Sequence, residues 1–199
     1  MAGFHMNRRQ IIASALVAAL PGRALAETAA TAETWTLPEE FLPQKVRFQD
    51  DQEVGAIIVD PNRFALYWVT EPRRGVRYTV GVGRGNLYES GSFTVGAKKE
   101  WPSWTPTKEM IARNPGQYSR YADGMPGGPS NPLGARALYL FDENGGDTFL
   151  RIHGTPEPWT INSAVSNGCV RLVNEHIAAL YEEVAIGAKV YLLSKAAQS

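Results

Sequence analysis

The chain has 199 residues, with 20 Lys+Arg against 20 Asp+Glu and a hydrophobic content of 44%. This length suits one domain with a core of its own, the balanced charge lacks the basic excess of a nucleic-acid-binding protein, and the hydrophobic content excludes a disordered chain. The single cysteine, Cys169, excludes an intrachain disulfide framework and a zinc finger built on paired cysteines.

The first 26 residues have the pattern of an export signal. Arg8 and Arg9 precede a ten-residue apolar run at 11–20, and the small-x-small sequence at 24–26 predicts cleavage after Ala26. The apolar run is shorter than the roughly 20 residues of a membrane span. Residues 7–12 also resemble a twin-arginine signal. We expect an exported, mildly acidic mature chain with no transmembrane span, located in the periplasm or cell envelope.

Residues 27–50 are predicted to form a linker or N-terminal arm, because they are rich in Ala, Thr, Glu and Pro and show no periodicity. Beyond them, short runs of β-branched and aromatic residues alternate with Gly, Pro and Asn turn signals. These runs predict strands over 55–59, 63–69, 76–82, 92–95, 137–141, 148–153 and 189–193. We therefore expect a mainly β domain, a sandwich or barrel-like fold.

One helix and one long loop interrupt this β pattern. Asn174 is a candidate N-cap, Gly187 a stop, and the apolar residues between them recur at helical spacing, namely Ile177, Leu180, Tyr181 and Val184. Between Asn114 and Arg136 the many glycines and prolines predict a long loop without regular structure. Long loops of this kind in compact domains often carry functional residues, and a loop that only connects two elements is the alternative.

Two familiar kinds of site fit the sequence poorly. The glycines at 81–85 follow a strand, but the third glycine comes too early for a dinucleotide fingerprint and no helix pattern follows. A zinc site would need His153, His176 and Cys169 together, without the short ligand spacing of strong metal motifs. We expect His176 to be a surface or capping histidine, and we expect neither a metal nor a cofactor.

A thiol and an imidazole remain as the candidate chemistry. His153 ends a predicted strand, and Cys169 follows sixteen residues later, after Gly168 and two residues before Arg171. A nearby imidazole can take the thiol proton or stabilise the thiolate, and amides beside a glycine can bind an oxyanion. Arg171 can bind a substrate carboxylate. A buried, inert cysteine and a structural histidine remain the alternative from these residues alone.

The motifs Ile-His-Gly-Thr at 152–155 and Ser-Asn-Gly-Cys-Val-Arg-Leu at 166–172 resemble the signature of the L,D-transpeptidase catalytic domain, the YkuD-like domain. The similarity extends through 56–60, 80–83, 100–107, 124–129 and 131–136 and covers roughly residues 50–194. It implies a catalytic domain at 51–194, followed by a tail at 195–199. It also implies a β-rich cell-envelope enzyme that acts on peptidoglycan stem peptides.

The resemblance assigns a role to each motif residue. Cys169 would attack the third-residue diamino acid, form a thioester and release terminal D-Ala, with His153 as the base and the Gly154 carbonyl orienting its ring. The amides of Gly168 and Cys169 would bind the oxyanion. Arg171, Ser166 and Asn167 would contact substrate. The acceptor would be an amine of a second stem peptide or an envelope protein, and carbapenem-type β-lactams would be covalent inhibitors.

Many members of this family carry Ser-His-Gly-Cys, whereas this chain has Asn167 at the position of that histidine. The difference leaves His153 as the only imidazole within the motifs. Two other functions remain open. Water would resolve the same thioester in an L,D-carboxypeptidase, and an inert Cys169 would leave a non-catalytic wall-binding module.

Overall fold

The computed structural model describes residues 35–196. The predicted export signal, residues 27–34 of the predicted arm, and residues 197–199 lie outside the described residues.

The described part of the chain is mainly β, which confirms the predicted fold class. Its strands are β1 (Gln44–Arg47), β2 (Ile57–Asp60), β3 (Ala65–Glu71), β4 (Arg74–Thr79), β5 (Val82–Gly83), β6 (Gly91–Glu100), β7 (Arg136–Phe141), β8 (Asp147–His153), β9 (Ala164–Ser166), β10 (Val170–Arg171) and β11 (Lys189–Leu192). Its α-helices are α1 (Lys108–Arg113), α2 (Pro115–Tyr118) and α3 (Asn174–Glu183). A strand forms at each of the seven predicted places, with shifts at the boundaries.

Nine of these described strands form one mixed sheet in the order β1-β4-β3-β2-β11-β6-β7-β8-β10, and β5 pairs with β9 in a second, two-stranded sheet. Neighbours in the large sheet are antiparallel except for β2 with β11 and β8 with β10, which are parallel. This order places β1 and β10 at opposite edges of the large sheet.

Several described elements form where the sequence predicts none: α1, β9 and β10, and also β1 and α2. β1 lies within the predicted arm and pairs with β4, Val46 opposite Gly75. It buries no side chain fully, so it carries no hydrophobic alternation that sequence reasoning can detect. Helix α2 lies within the segment predicted to lack regular structure. Pro115 occupies its first turn, where proline is tolerated, and the Asn114 side chain caps the Gln117 amide at 3.3 Å.

Helix α3 covers the sheet and contributes fully buried side chains, Ile177 and Leu180, to the core. The predicted N-cap is wrong by one residue: Val173 is the N-cap, because the Asn174 oxygen accepts the Ala135 amide at 2.9 Å instead of capping its own helix. The helix ends at Glu183, before Gly187. Lys98 of β6 donates to the carbonyls of its last turn and places a positive charge where the helix dipole is negative.

Strand β5 packs directly against the loop that carries Cys169. A Cβ atom on Gly83 would lie 2.9 Å from the Gly168 Cα and 2.9 Å from the Tyr88 backbone. Backbone atoms cannot withdraw as a flexible side-chain end can. Only glycine therefore allows this close approach.

We expect Gly83→Ala to lower the free energy of unfolding by about 1–3 kcal/mol, the usual cost of overpacking a close contact. Urea denaturation followed by circular dichroism measures the change. Gly128→Ala is the matched control, because its Cβ would meet nothing within 4 Å. Equal unfolding midpoints for the two variants would contradict the close packing of β5 on the Cys169 loop.

Candidate active site

The parallel pairing of β8 with β10 brings the thiol and the imidazole to one place. Val170 lies opposite Ile152, and Arg171 lies opposite His153. Cys169 immediately precedes β10, and its half-buried sulfur lies 3.9 Å from the carbonyl oxygen of Phe149. No hydrogen bond joins this thiol to the His153 ring within residues 35–196. Such contacts are often long in a resting enzyme and shorten when substrate binds.

The His153 ring is buried and held in one orientation. Its Nδ1 lies 2.5 Å from the carbonyl oxygen of Gly154, and the residue is only 3% exposed. A carbonyl oxygen only accepts hydrogen bonds, so Nδ1 carries the proton in the neutral ring. This leaves Nε2 with its lone pair, which is the form that a general base requires. Gly154 thus has the position that the sequence predicts for it.

Burial keeps both groups of the pair neutral. It lowers the pKa of His153 to about 3, and the positive charge of Arg171 acts in the same direction. It also raises the pKa of the Cys169 thiol, although the amide and charge of Arg151 oppose this shift. The resting pair near neutral pH is therefore a thiol and an imidazole, and not a thiolate–imidazolium ion pair.

Ser166 closes the loop that carries the thiol. Its hydroxyl donates to the Cys169 carbonyl at 2.5 Å and accepts the Gly168 amide at 3.2 Å. Gly168 has φ +129°, a conformation that favours glycine. Ser166 is 1% exposed and both of its hydrogen bonds go to the backbone of this loop, so its contact with substrate stays a prediction. With the Gly168 amide bound to Ser166, the Cys169 amide remains the candidate oxyanion donor.

Arg171 differs from the sequence expectation in its partner. Its guanidinium pairs with the Glu157 carboxylate at 3.4 Å, and its side chain is 16% exposed. The binding of a substrate carboxylate by Arg171 stays a prediction, and in the structure a carboxylate of the protein itself contacts this guanidinium. Glu157 lies in the turn that follows His153, and its pairing with Arg171 has no signal in the sequence.

Asn167 contacts three side chains that sequence reasoning missed. Its Oδ1 accepts hydrogen bonds from Arg84 at 3.3 Å and from Arg113 at 3.1 Å, and its Nδ2 donates to the Tyr118 hydroxyl at 2.8 Å. The three partners come from the residue after β5, from α1 and from α2. Asn167 therefore connects the Cys169 loop to α1 and to the beginning of the long Gly/Pro-rich segment.

His176 lies apart from this site. It is 7% exposed, its ring centroid is 5.8 Å from that of Tyr78, and its Nδ1 has no hydrogen-bond partner within residues 35–196. The expectation of a surface or capping histidine is wrong, because α3 turns this side chain toward the sheet. The described residues contain no group of three His, Cys, Asp or Glu side chains arranged to hold a metal ion.

None of the helices described between residues 35 and 196 is long and apolar enough to cross a membrane.

The chain matches the family model of the L,D-transpeptidase catalytic domain, YkuD, over residues 55–192. It is 31% identical to the probable L,D-transpeptidase YbiS of Escherichia coli strain K12 over 77% of this chain and 49% of that protein. The chain therefore spans about half the length of that relative. It is 33% identical to a putative L,D-transpeptidase from the ATP synthase subunits region of Fuscovulum blasticum, over 94% of this chain and 98% of that protein.

A solved structure from Brucella melitensis is also similar. It is 47% identical, covers 79% of this chain and 96% of its own, and superposes with a TM-score of 0.54. That protein is described as a probable carnitine operon oxidoreductase.

We expect the rate of Cys169 alkylation by iodoacetamide to rise with pH. The apparent pKa of this rise should lie above the value of about 8.5 of a free cysteine, because burial disfavours the thiolate. The measurement follows the labelled mass between pH 6 and 11 under native conditions, with the urea-unfolded chain as the reference. Cys169 is the only cysteine, so the label is unambiguous. A rate that already levels off at pH 7 would contradict a neutral resting pair.

We expect Ser166→Ala to lower the free energy of unfolding by about 1–3 kcal/mol, because it leaves the buried Gly168 amide without a partner. It should also change the alkylation rate of Cys169 in the folded protein, since the loop loses its closing hydrogen bonds. Ser92→Ala, on an exposed residue of β6, serves as the control and should leave both quantities unchanged. Identical behaviour of the two variants would show that Ser166 does not hold the loop.

Proposed function

The chain belongs to the L,D-transpeptidase catalytic domain family, and we propose that it is an exported cysteine acyltransferase that acts on peptidoglycan stem peptides. One observation carries the proposal: the register of β8 and β10 places the only thiol of the chain beside the strand that ends in a buried His153 with its Nδ1 bound to a carbonyl. A thiol activated by an imidazole of fixed tautomer is the arrangement that acyl transfer requires.

In the proposed reaction, the Cys169 sulfur attacks the carbonyl of the third-residue diamino acid while its proton passes to His153 Nε2. The Cys169 amide stabilises the negative oxygen of the tetrahedral intermediate. The bond to the terminal D-Ala then breaks, and His153 returns the proton to the leaving amine. The product of this half-reaction is a thioester on Cys169.

In the second half-reaction, an amine of another stem peptide or of an envelope protein attacks the thioester. His153 takes the proton of the attacking amine and returns it to the departing sulfur, so the thiol and the neutral ring are restored. The lowered pKa of His153 favours the second part of each half-reaction, because the protonated ring readily releases its proton to the leaving group. The same shift makes the neutral ring a weak base, so the proton has to leave the thiol or the amine as the new bond forms, and not before it.

The residue whose carbonyl lies at the thiol also carries an exposed apolar side chain. The carbonyl of Phe149 lies at the Cys169 sulfur, and the Phe149 side chain is 70% exposed with a left-handed backbone, φ 62°. An exposed apolar side chain on a residue with a strained backbone, whose carbonyl contacts the nucleophile, is typical of a functional site. We propose that it shields the thioester from water, which would favour transfer over hydrolysis.

The local structure supports acyl transfer better than the oxidoreductase function by which the Brucella protein is described. A dinucleotide site needs a glycine-rich turn that leads from a strand into a helix. Here the glycines at 81–85 surround the two-residue strand β5 and lead into a single 3-10 turn, Gly85–Leu87.

Export and inhibition are part of the same proposal. The signal-like segment at 1–26 would deliver the enzyme to the periplasm, where its substrate lies. Carbapenem-type β-lactams would acylate Cys169, because opening their strained amide leaves a stable acyl-enzyme.

We expect the purified protein to release D-Ala from a disaccharide tetrapeptide, and mass spectrometry should show cross-linked dimers and a β-lactam adduct on Cys169. Cys169→Ala should reduce turnover at least about a thousandfold, because the nucleophile is lost. The Ser92→Ala variant is the control for handling and folding.

Each other result has a definite meaning. Formation of the tripeptide without a cross-linked dimer would indicate L,D-carboxypeptidase activity instead of transfer. Full activity of Cys169→Ala would exclude Cys169 as the nucleophile. No turnover together with no adduct would refute the enzyme and favour a wall-binding module.

A further inference from the structure

Two arginines from different elements converge on the loop that carries Cys169. Arg84 follows β5, and Arg113 is the last residue of α1. Both donate to the same atom, Oδ1 of Asn167, at 3.3 and 3.1 Å. The two guanidinium nitrogens therefore lie no farther apart than the sum of these distances. Asn167 lies two residues before Cys169, so the pair of charges is bound to the loop that carries the nucleophile.

Among the residues that the structure describes, no carboxylate pairs with either of these arginines. Within residues 35–196, neither Arg84 nor Arg113 lies within 4.0 Å of an acidic oxygen, whereas Arg171 pairs with Glu157 and Arg151 with Asp147. Glu109, one turn before Arg113 on α1, is influenced by the charge of Arg113 but makes no ion pair with it. Two exposed guanidinium groups thus share one neutral acceptor and keep most of their donors free.

The amide that joins the two arginines is itself anchored. Asn167 Nδ2 donates to the hydroxyl of Tyr118, which is 7% exposed. This bond fixes which end of the amide faces the arginines, so that the oxygen accepts from both of them. The pair is therefore oriented before any ligand arrives, which reduces the entropy cost of binding.

We propose that Arg84 and Arg113, oriented by Asn167, bind a carboxylate of the donor peptide, the task that the sequence suggested for Arg171. The inference rests on the proposed function and specifies how that site recognises its substrate. A carboxylate has two oxygens, and two adjacent guanidinium groups can each bind one of them. A tetrapeptide donor offers two candidates, the carboxylate of the terminal D-Ala and that of the diamino acid side chain.

The first test does not depend on the proposed function. Iodoacetate and iodoacetamide both alkylate a thiolate with loss of iodide, but only iodoacetate carries a carboxylate. At Cys169, we expect the rate with iodoacetate divided by the rate with iodoacetamide to fall about three- to tenfold in the Arg84→Gln/Arg113→Gln double variant. Arg47→Gln is the control, because Arg47 lies on β1 at the opposite edge of the large sheet from β10. An unchanged ratio in the double variant would overturn the proposal.

The second test identifies the carboxylate. Kinetics are measured with three tetrapeptides: one with both carboxylates free, one amidated at D-Ala, and one amidated at the diamino acid side chain. Amidation of the recognised group should raise KM about 10- to 100-fold with little change in kcat. The double variant should lose this difference. Equal KM values of the wild-type protein for all three peptides would overturn the proposal.

Asn167→Asp gives an independent check with almost no change in shape. It places a carboxylate of the protein between the two arginines, and we expect it to raise KM for the free peptide as the double variant does. An unchanged KM would count against the arginine pair. If the wild-type protein releases D-Ala from none of the peptides, the proposed function fails, while the alkylation ratio still decides whether the pair attracts a carboxylate.

Discussion

The short parallel pairing of β8 and β10 is the constraint on which the candidate active site depends. Its register sets Arg171 opposite His153 and brings Cys169 beside β8. A slip of one residue would turn the side chains of β10 to the other face of the sheet. Two residues of pairing cannot hold this register alone. The loop before β10 supplies the rest, through the Ser166 hydroxyl and through the close contact between Gly168 and Gly83.

Burial determines the charge of the resting site. Two arginines lie near the Cys169 thiol, and positive charge alone would lower its pKa. Each of them is paired with a carboxylate, Arg151 with Asp147 and Arg171 with Glu157, so that little net charge reaches the sulfur. Desolvation then outweighs the remaining attraction, and both reacting groups stay neutral. Charge has to develop during the reaction, which makes the placement of amide donors around the intermediate more important than a preformed thiolate.

The sequence predicts those features that depend on neighbours along the chain or on alternating burial. The long strands, helix α3 and the Cys169–His153 motifs are of this kind. Strand β1 was missed because it packs at an edge without a buried face, and the partners of Arg171 and Asn167 were missed because they come from distant elements. Arg113, for example, is an exposed residue at the end of a six-residue helix, and nothing in its local sequence indicates that it approaches Asn167.

The residue at position 167 and the arginine pair depend on each other. An amide oxygen has two lone pairs and accepts from both Arg84 and Arg113, while the amide nitrogen still donates to Tyr118. The imidazole found in the Ser-His-Gly-Cys form of the motif offers a single acceptor nitrogen when neutral, and none when protonated. With a histidine in place of Asn167, only one of the two guanidinium groups could donate a hydrogen bond to this side chain. Both groups would repel the protonated imidazole. The amide is thus the side chain that allows two unneutralised arginines to meet at the loop that carries the nucleophile, so the departure from the family motif is matched by a feature elsewhere in the chain.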